Sequence, residues 1–274
     1  MEIITSAQNP KIKNLLLLQE KSKARREQGL FVVEGRRELQ HCLEAGYEAD
    51  TVFVCPEIAG EEPLPSASLR DPVRANAPGR GSSPAIVTIP EALYRKVAYR
   101  ESTEGIIAEV RCKSLSLQEL HLPENPLIMV LESVEKPGNL GAVLRSADAA
   151  RADAVLLCDP LTDLYNPNLI RASIGAVFTV PTVACSSEEA IAFLEARGIQ
   201  ILTAQLQDSS LYYNVDMTRG TALVMGTEST GLTDVWRKAA SAHIRIPMLG
   251  RLDSLNVSVS AAILLFEAVR QRQG

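Results

Sequence analysis

The chain is poor in aromatic residues: only 4% of its 274 positions are Phe, Tyr or Trp. Its core must therefore be filled mainly by Ala, Leu, Val and Ile. No stretch reaches the roughly 20 apolar residues that a membrane span needs, and the N-terminal "MEIITSAQNPKIK" has no apolar core of the kind found in a signal peptide. Cysteines number five, and no C-x-x-C spacing occurs among Cys42, Cys55, Cys112, Cys158 and Cys185. Most sit beside apolar residues and read as buried small hydrophobes rather than as a disulfide framework. The three histidines, His41, His121 and His243, show no metal-ligand spacing. A reducing, cytoplasmic setting with no metal and no membrane is the expectation. Three common fingerprints are missing as well. There is no G-x-G-x-x-G after a strand, no G-x-x-x-x-G-K-[ST] and no G-x-S-x-G. These absences disfavour a dinucleotide dehydrogenase, a P-loop NTPase and an α/β-hydrolase.

What is present is an ordinary globular composition, 46% hydrophobic and 22% charged, at a length that fits two domains. The net charge of -5 argues weakly against a nucleic-acid partner. Its distribution is uneven, however. Lys11, Lys13, Lys21, Lys23, Arg25, Arg26, Arg36 and Arg37 face only Glu20, Glu27 and Glu34 in the same segment. On charge alone that segment is either a solvated helix face or a phosphate-binding surface.

The first part mixes helices with short strands. One helix is expected over "NPKIKNLLLLQEKSKARREQG", ending near Gly29, then a strand at "LFVVEG", a helix at "RRELQHCLEAG" and a strand at "DTVFVC". Residues 56–84 are rich in Pro, Ser, Gly and Ala and read as a surface loop. "AIVTIP", a helix from Glu91 and "GIIAEVR" complete a unit over residues 1–111, and residues 112–125 read as a linker. From residue 126 to 274 continuous apolar strands alternate with helices: "LIMVLESV", "AVLLCD", "FTVP", "IQILTAQ", "ALVMGTE" and "HIRIPM", with a long helix at the end. That pattern predicts an α/β fold, a parallel sheet covered by helices on both faces. Ligands of such sheets sit at the carboxyl ends of the strands.

Three of those strand ends carry chemistry. In "LESVEKPGNLGAVLRSADAARAD" a Pro-Gly turn leads to Asn139, placed as a helix N-cap, with Gly141 behind it and Arg145 six residues on. Asn139 and Arg145 are expected to share one side of the helix start; the plainer reading is a surface Arg145 paired with Asp148. In "ALVMGTESTGL" small residues surround one carboxylate, Gly226, Glu228 and Gly231, which is either a ligand loop or a plain turn. In "IRIPMLGRLDSLNVSVSAAILLFEAV" the chain enters a helix through Ser254 and Asn256, where free amides and the positive dipole end gather. Capping alone also accounts for these residues.

Taken together and in this order, the three motifs resemble the SpoU (TrmH) family of RNA ribose methyltransferases of the SPOUT superfamily. The first motif of that family is carried here by Asn139, Gly141 and Arg145, with a shortened count between Asn139 and Gly141. The second is carried by Gly226, Glu228, Gly231 and Leu232, and the third by Ile246, Pro247, Met248, Ser254, Leu255, Asn256, Val257 and Ser258. One departure stands out: Ser229 follows Glu228 where many relatives have Gly, which puts a side chain near the expected cofactor. "ITSAQNPKIKNLLLL", "GLFVVEGRRELQ" and "STEGIIAEV" are similar to the family's substrate-binding domain, which looks like ribosomal protein L30e.

The resemblance implies a C-terminal trefoil knot and S-adenosylmethionine bound by three loops: Thr203, Ala204 and Gln205; Gly226, Thr227 and Glu228; and Ile246, Met248 and Leu255. It implies methyl transfer to a ribose 2′-hydroxyl of structured RNA, ribosomal RNA foremost. Transfer RNA, or an inactive RNA-binding protein of the same fold, are the alternatives. Arg145 would sit beside the hydroxyl, with Asn139, Glu228, Ser254 and Asn256 shaping the site. A guanidinium is always protonated, so its role is read as electrostatic. A homodimer is implied, and Lys11, Lys13, Lys23, Arg25, Arg26 and Arg36 would grip RNA phosphates.

Overall fold

The computed structural model describes residues 2–60, 64, 83–99, 104–227 and 231–273. In chain order the first elements are β1 (Glu2–Ile3), α1 (Pro10–Glu20), α2 (Ser22–Gln28), β2 (Leu30–Glu34), α3 (Arg36–Glu44), β3 (Ala49–Val54), α4 (Pro56–Ala59), β4 (Ala85–Thr88), α5 (Glu91–Val97) and β5 (Ile106–Arg111). Then come β6 (Leu127–Glu132), α6 (Pro137–Ala149), β7 (Ala154–Cys158), α7 (Pro167–Ser173), α8 (Ala176–Thr179), β8 (Thr182–Cys185), α9 (Ser187–Ala196) and β9 (Gln200–Ala204). The last are β10 (Ser210–Leu211), β11 (Thr221–Met225), α10 (Asp234–Ala239), β12 (Ala242–Arg245) and α11 (Val257–Gln273). The chain forms two compact units: Met1–Lys113 with Leu164–Thr179, and Ser114–Asp163 with Val180–Gly274.

The first unit holds a five-stranded mixed sheet, in the order β1-β4-β3-β5-β2. Asn9 starts α1 by accepting from the amide of Lys11, with Pro10 preset for the first turn. The single helix expected to run to Gly29 is broken. Lys21 is extended, with φ -111° and ψ 109°, and α2 begins after it. The break frees carbonyls at the end of α1, and Arg25 satisfies them. Arg25 is buried and donates through Nη1 to the carbonyls of Leu18, at 2.6 Å, and Gln19, at 3.2 Å. Expected to grip RNA, it is instead a cap inside the fold. Gly29 ends α2 in the left-handed conformation, as the sequence predicts. Of the loop expected over 56–84, the start is the one-turn α4; residues 61–63 and 65–82 lie outside the described residues.

Residues 164–179 join this unit, although the sequence places them in the second half. Tyr165 stacks on Phe31, with ring centroids 4.2 Å apart, and Phe178 lies within 6 Å of both Phe31 and Tyr47. A chain so poor in aromatics concentrates four of them here. Glu109, buried on the inner strand β5, accepts from Asn14 Nδ2 at 3.2 Å. Burial pushes its carboxyl up to about 7, against the opposing effect of the Asn14 bond.

The second unit is a seven-stranded, wholly parallel sheet in the order β10-β12-β9-β11-β6-β7-β8. Every residue of β6, β7 and β11 is buried, as expected of strands covered on both faces. Three expectations are corrected here. The stretch read as a linker packs into this unit: Leu117 and Leu120 are buried in its core with Ile128 and Trp236. A capping box, Ser116 with Glu119, fixes the turn between them. "FTVP" is not a strand, because Phe178 and Thr179 end α8 and the strand starts only after Pro181, at Thr182. Proline donates no ladder bond and is suited to a strand's edge. Finally, α6 starts at Pro137 with Lys136 as its N-cap, so Asn139 lies in the first turn rather than capping it. Pro137 is preset for the first helical position, which begins the helix three residues early.

Candidate active site

Strands β12, β9 and β11 are neighbours and run in the same direction, with Thr203 of β9 paired to both Val224 and His243. Their carboxyl ends therefore open side by side. A cavity of about 340 Å³ lies there. Its walls are Ala204–Gln207, Met225–Thr227 and Ile244–Ile246, with Gly231, Leu232, Arg237, Met248, Asp253, Ser254, Leu255 and the first turns of α11.

Of the residues expected to hold a cofactor, Ala204, Gln205, Gly226, Thr227, Ile246, Met248 and Leu255 come together in this cavity, and Ser254 joins them. Thr203 does not. It is fully buried one residue inside β9, and its hydroxyl lies 2.6 Å from His243 Nδ1. Strand side chains alternate between faces, so Ala204 and Thr203 cannot both line one wall. Glu228 and the neighbouring Ser229 lie outside the described residues.

Gly226 explains why the strand end is a glycine. A Cβ there would fall 2.3 Å from the carbonyl oxygen of Gly231 and 2.6 Å from the Leu232 nitrogen. The turn closes on itself through the amide of Gly231, which donates to Thr227 O at 3.1 Å. Gly231 itself takes φ +67°, the left-handed region. Below the turn, Glu132 at the end of β6 accepts from the Thr233 amide at 2.9 Å and from its hydroxyl at 2.6 Å. Trp236 Nε1 donates to Ser187 Oγ at 2.9 Å, and Ser187 Oγ donates to Asp159 at 2.6 Å. This polar support, part-buried beneath the turn, was not legible in the sequence, because its members are scattered along the chain and follow no motif.

A second, smaller cavity of about 160 Å³ is lined by Val134, Glu135, Lys136 and Asn139 and shares Gly226, Thr227 and Val257 with the larger one. Asn256 Nδ2 donates to Asn139 Oδ1 at 3.1 Å, joining the first and third motifs. The Asn256 side-chain oxygen accepts from the amide of Ser258 at 2.9 Å and so opens α11. Arg145 is apart from this group. It is exposed, lines neither cavity, and makes no hydrogen bond or ion pair with any described residue, Asp148 included. Six residues at about 100° each leave it some 120° around the helix from Asn139, so the shared side expected for the two does not exist within one chain.

Among the RNA-binding candidates, Lys13 and Arg26 are exposed. Lys11 pairs with Glu2, and Lys23 lies 3.7 Å from Glu27 on the same helix. Arg36 is half-buried, with Nη2 3.5 Å from the carbonyl of Ala59. Among the described residues, no group of three or more His, Cys, Asp or Glu is placed to hold a metal, and no helix is long and apolar enough to cross a membrane.

The geometry agrees with the sequence relationships. Residues 9–108 match the model of an MRM3-like substrate binding domain. Over its whole length the chain is similar to the 23S rRNA (guanosine(2553)-2′-O)-methyltransferase of Bacillus subtilis, at 27% identity across 97% of this chain and 98% of that protein. Among solved structures, an RNA 2′-O ribose methyltransferase superposes with a TM-score of 0.81 at 39% identity, covering 99% of this chain and 100% of the other. An AdoMet-bound rRNA methyltransferase from Sinorhizobium meliloti gives 0.84 at 29% identity, covering 98% and 97%. Residues 126–266, just over half of the chain, match the SpoU rRNA Methylase model, and the chain belongs to that family.

Proposed function

We propose that this protein transfers a methyl group from S-adenosylmethionine to a ribose 2′-hydroxyl of ribosomal RNA. The observation that carries this reading is the pair of adjoining cavities, one at three parallel strand ends and one at Asn139, divided only by Gly226, Thr227 and Val257. The larger falls within the roughly 300–1,000 Å³ typical of small-molecule sites. Its residues fit the cofactor. Gly226 lets bare backbone approach, apolar walls suit a nucleoside, and Arg237 and Asp253 complement the two charges of an amino-acid end.

When bound, the cofactor supplies a sulfonium whose methyl carbon is open to in-line attack. The chain's part is placement, which supplies much of the rate in such a displacement. Asn139, held by Asn256, orients the acceptor ribose in the smaller cavity. The positive charge of Arg145 steadies the acceptor oxygen as it bonds to the methyl carbon, the carbon–sulfur bond breaks and the hydroxyl proton passes to water. Ser254 completes the wall.

The assembly is a homodimer in which Arg145 of one subunit serves the site of the other. Two features support this. Arg145 has no hydrogen-bond or ion-pair partner among the described residues, and apolar surface gathers nearby in sequence to the third motif: Leu249 is 95% exposed and Leu252 77%, with Val259 and Phe266 exposed on α11. The catalytic domain is the second unit, residues 114–163 with 180–274, closed by a trefoil knot formed around β9, β11 and β12. The first unit, residues 1–113 with 164–179, is an L30e-like domain that binds RNA through Lys13 and Arg26, with Lys11, Lys23 and Arg36 in support. No metal is needed, and the enzyme works in the cytoplasm.

The test is transfer of labelled methyl from S-adenosylmethionine to purified ribosomal RNA. Arg145→Ala should lower the rate at least tenfold, about 1.4 kcal/mol of barrier, while leaving cofactor binding intact. Label appearing only in transfer RNA would reassign the substrate, and none in any RNA, free or assembled, would refute the activity.

A further inference from the structure

Gln205 stands at the end of β9, where its amide donates to the carbonyl of Ile244 at 3.0 Å. Its side chain is oriented by one bond: Nε2 donates to Gln207 O at 2.9 Å. That bond fixes which end of the side-chain amide is which, because Gln207 O can only accept. The other end, Oε1, is buried and has no donor among the described residues, although Gln205 lines the larger cavity. A buried amide oxygen without a donor is costly and uncommon in a folded protein. At the wall of a ligand cavity, the natural completion is a donor brought by the ligand.

We infer that Gln205 Oε1 accepts a hydrogen bond from the nucleoside half of the cofactor, and that Gln205 is thereby a specificity-determining residue of this site. The inference rests on the methyltransferase reading above. The cofactor carries two kinds of donor. Its ammonium is charged and is matched by a carboxylate, and Asp253 is the acidic residue among the described cavity walls. Its neutral donors are the exocyclic amine of the base and the ribose hydroxyls. A neutral amide oxygen set among Ala204, Leu206 and Ile244 suits a neutral donor, since an apolar wall disfavours an ammonium lacking its counter-charge. The role differs from that of the neighbouring strand ends, where Gly226 offers only backbone. Gln205 reads the ligand with a side chain.

The experiment is calorimetric binding, which needs no turnover. The probes are S-adenosylhomocysteine, its inosine counterpart, in which the amine is replaced by a carbonyl oxygen, and its 2′-deoxy counterpart. Wild type should bind the adenosine compound at least tenfold more tightly than one of the two analogues. Gln205→Met should lose about tenfold toward the adenosine compound and lose the discrimination. Gln205→Glu, which keeps an acceptor oxygen at the same reach, should retain it. Melting temperatures within a few degrees of wild type verify that each variant is folded. A Met variant that binds as well as wild type, or that binds weakly yet keeps the full penalty for both analogues, overturns the inference. If wild type binds none of the three, the methyltransferase reading fails first, which is a distinct result.

Discussion

Gly226→Ala is the sharpest structural perturbation available at this site. The new Cβ would lie 2.3 Å from Gly231 O, 2.4 Å from Gly231 C and 2.6 Å from Leu232 N. Real Cβ contacts end near 3.0 Å, so the two backbones must part by at least 0.7 Å or so. All three neighbours are main chain, and no flexible side chain can swing aside. Forcing a methyl into packed structure costs about 1–3 kcal/mol. Gly226, Thr227, Gly231 and Leu232 also line the larger cavity, so relief of the clash deforms the binding surface. If the free protein opens the turn and ligand binding must close it again, the same energy appears as a loss of about 5- to 150-fold in Kd. Calorimetric titration with S-adenosylhomocysteine measures it, and a thermal melt reports whatever part is lost from stability instead. Gly250→Ala is the matched control, since a Cβ there meets nothing within 4 Å. A Gly226→Ala protein with wild-type Kd and wild-type melting temperature would refute the reasoning.

Three further perturbations test the supports. Arg25→Met removes a buried guanidinium from the carbonyls of Leu18 and Gln19. It should cost about 2–3 kcal/mol in urea unfolding and leave RNA affinity of the folded protein unchanged, whereas Lys13→Glu with Arg26→Glu should weaken RNA binding at equal stability. Glu132→Ala strips the acceptor from Thr233 N–H and Oγ. Thr233 lies at the surface, so loss of these two bonds should cost only about 1 kcal/mol, seen as a lower melting temperature that Glu132→Gln partly restores. Glu109 holds its proton more tightly when folded, at about 7 against 4.5. The sign follows: its contribution is full below about pH 4.5 and is lost as pH rises through about 7. The loss of unfolding free energy from pH 5 to pH 8, from urea titrations, should therefore be smaller by on the order of 3 kcal/mol in Glu109→Gln than in wild type, and an equal loss in both would count against it.

The sheet and its ligand-bearing edge were legible because they depend on local pattern. Continuous apolar runs at β6, β7 and β11 predict strands buried on both faces, and all three are. Glycines at strand ends mark close backbone approach, and Gly226 meets Gly231 as that reading requires. What failed is what depends on tertiary partners. The basic run at α1 and α2 gives no sign that Arg25 turns inward, since the helix break at Lys21 that makes its carbonyl acceptors available is itself invisible in a sequence of good helix formers. The apolar residues of 112–125 are too irregularly spaced to announce Leu117 and Leu120 as core. Nor does any periodicity send residues 164–179 to the first unit, where one stacked pair, Phe31 and Tyr165, is part of what holds them.

The same distinction sorts the site residues. Asn139 and Asn256 are 117 positions apart and meet because α6 and α11 pack together, so motif order could associate them while only the fold could bond them. Arg145 shares the motif of Asn139 but not its face of α6. That separation is what the proposed dimer accounts for, with Arg145 acting on the partner subunit's site. That makes subunit mixing the decisive comparison: Arg145→Ala paired with an Asn139→Ala partner should regain up to half of wild-type sites' activity if Arg145 acts across the interface, and should stay inactive if both residues must lie in one chain.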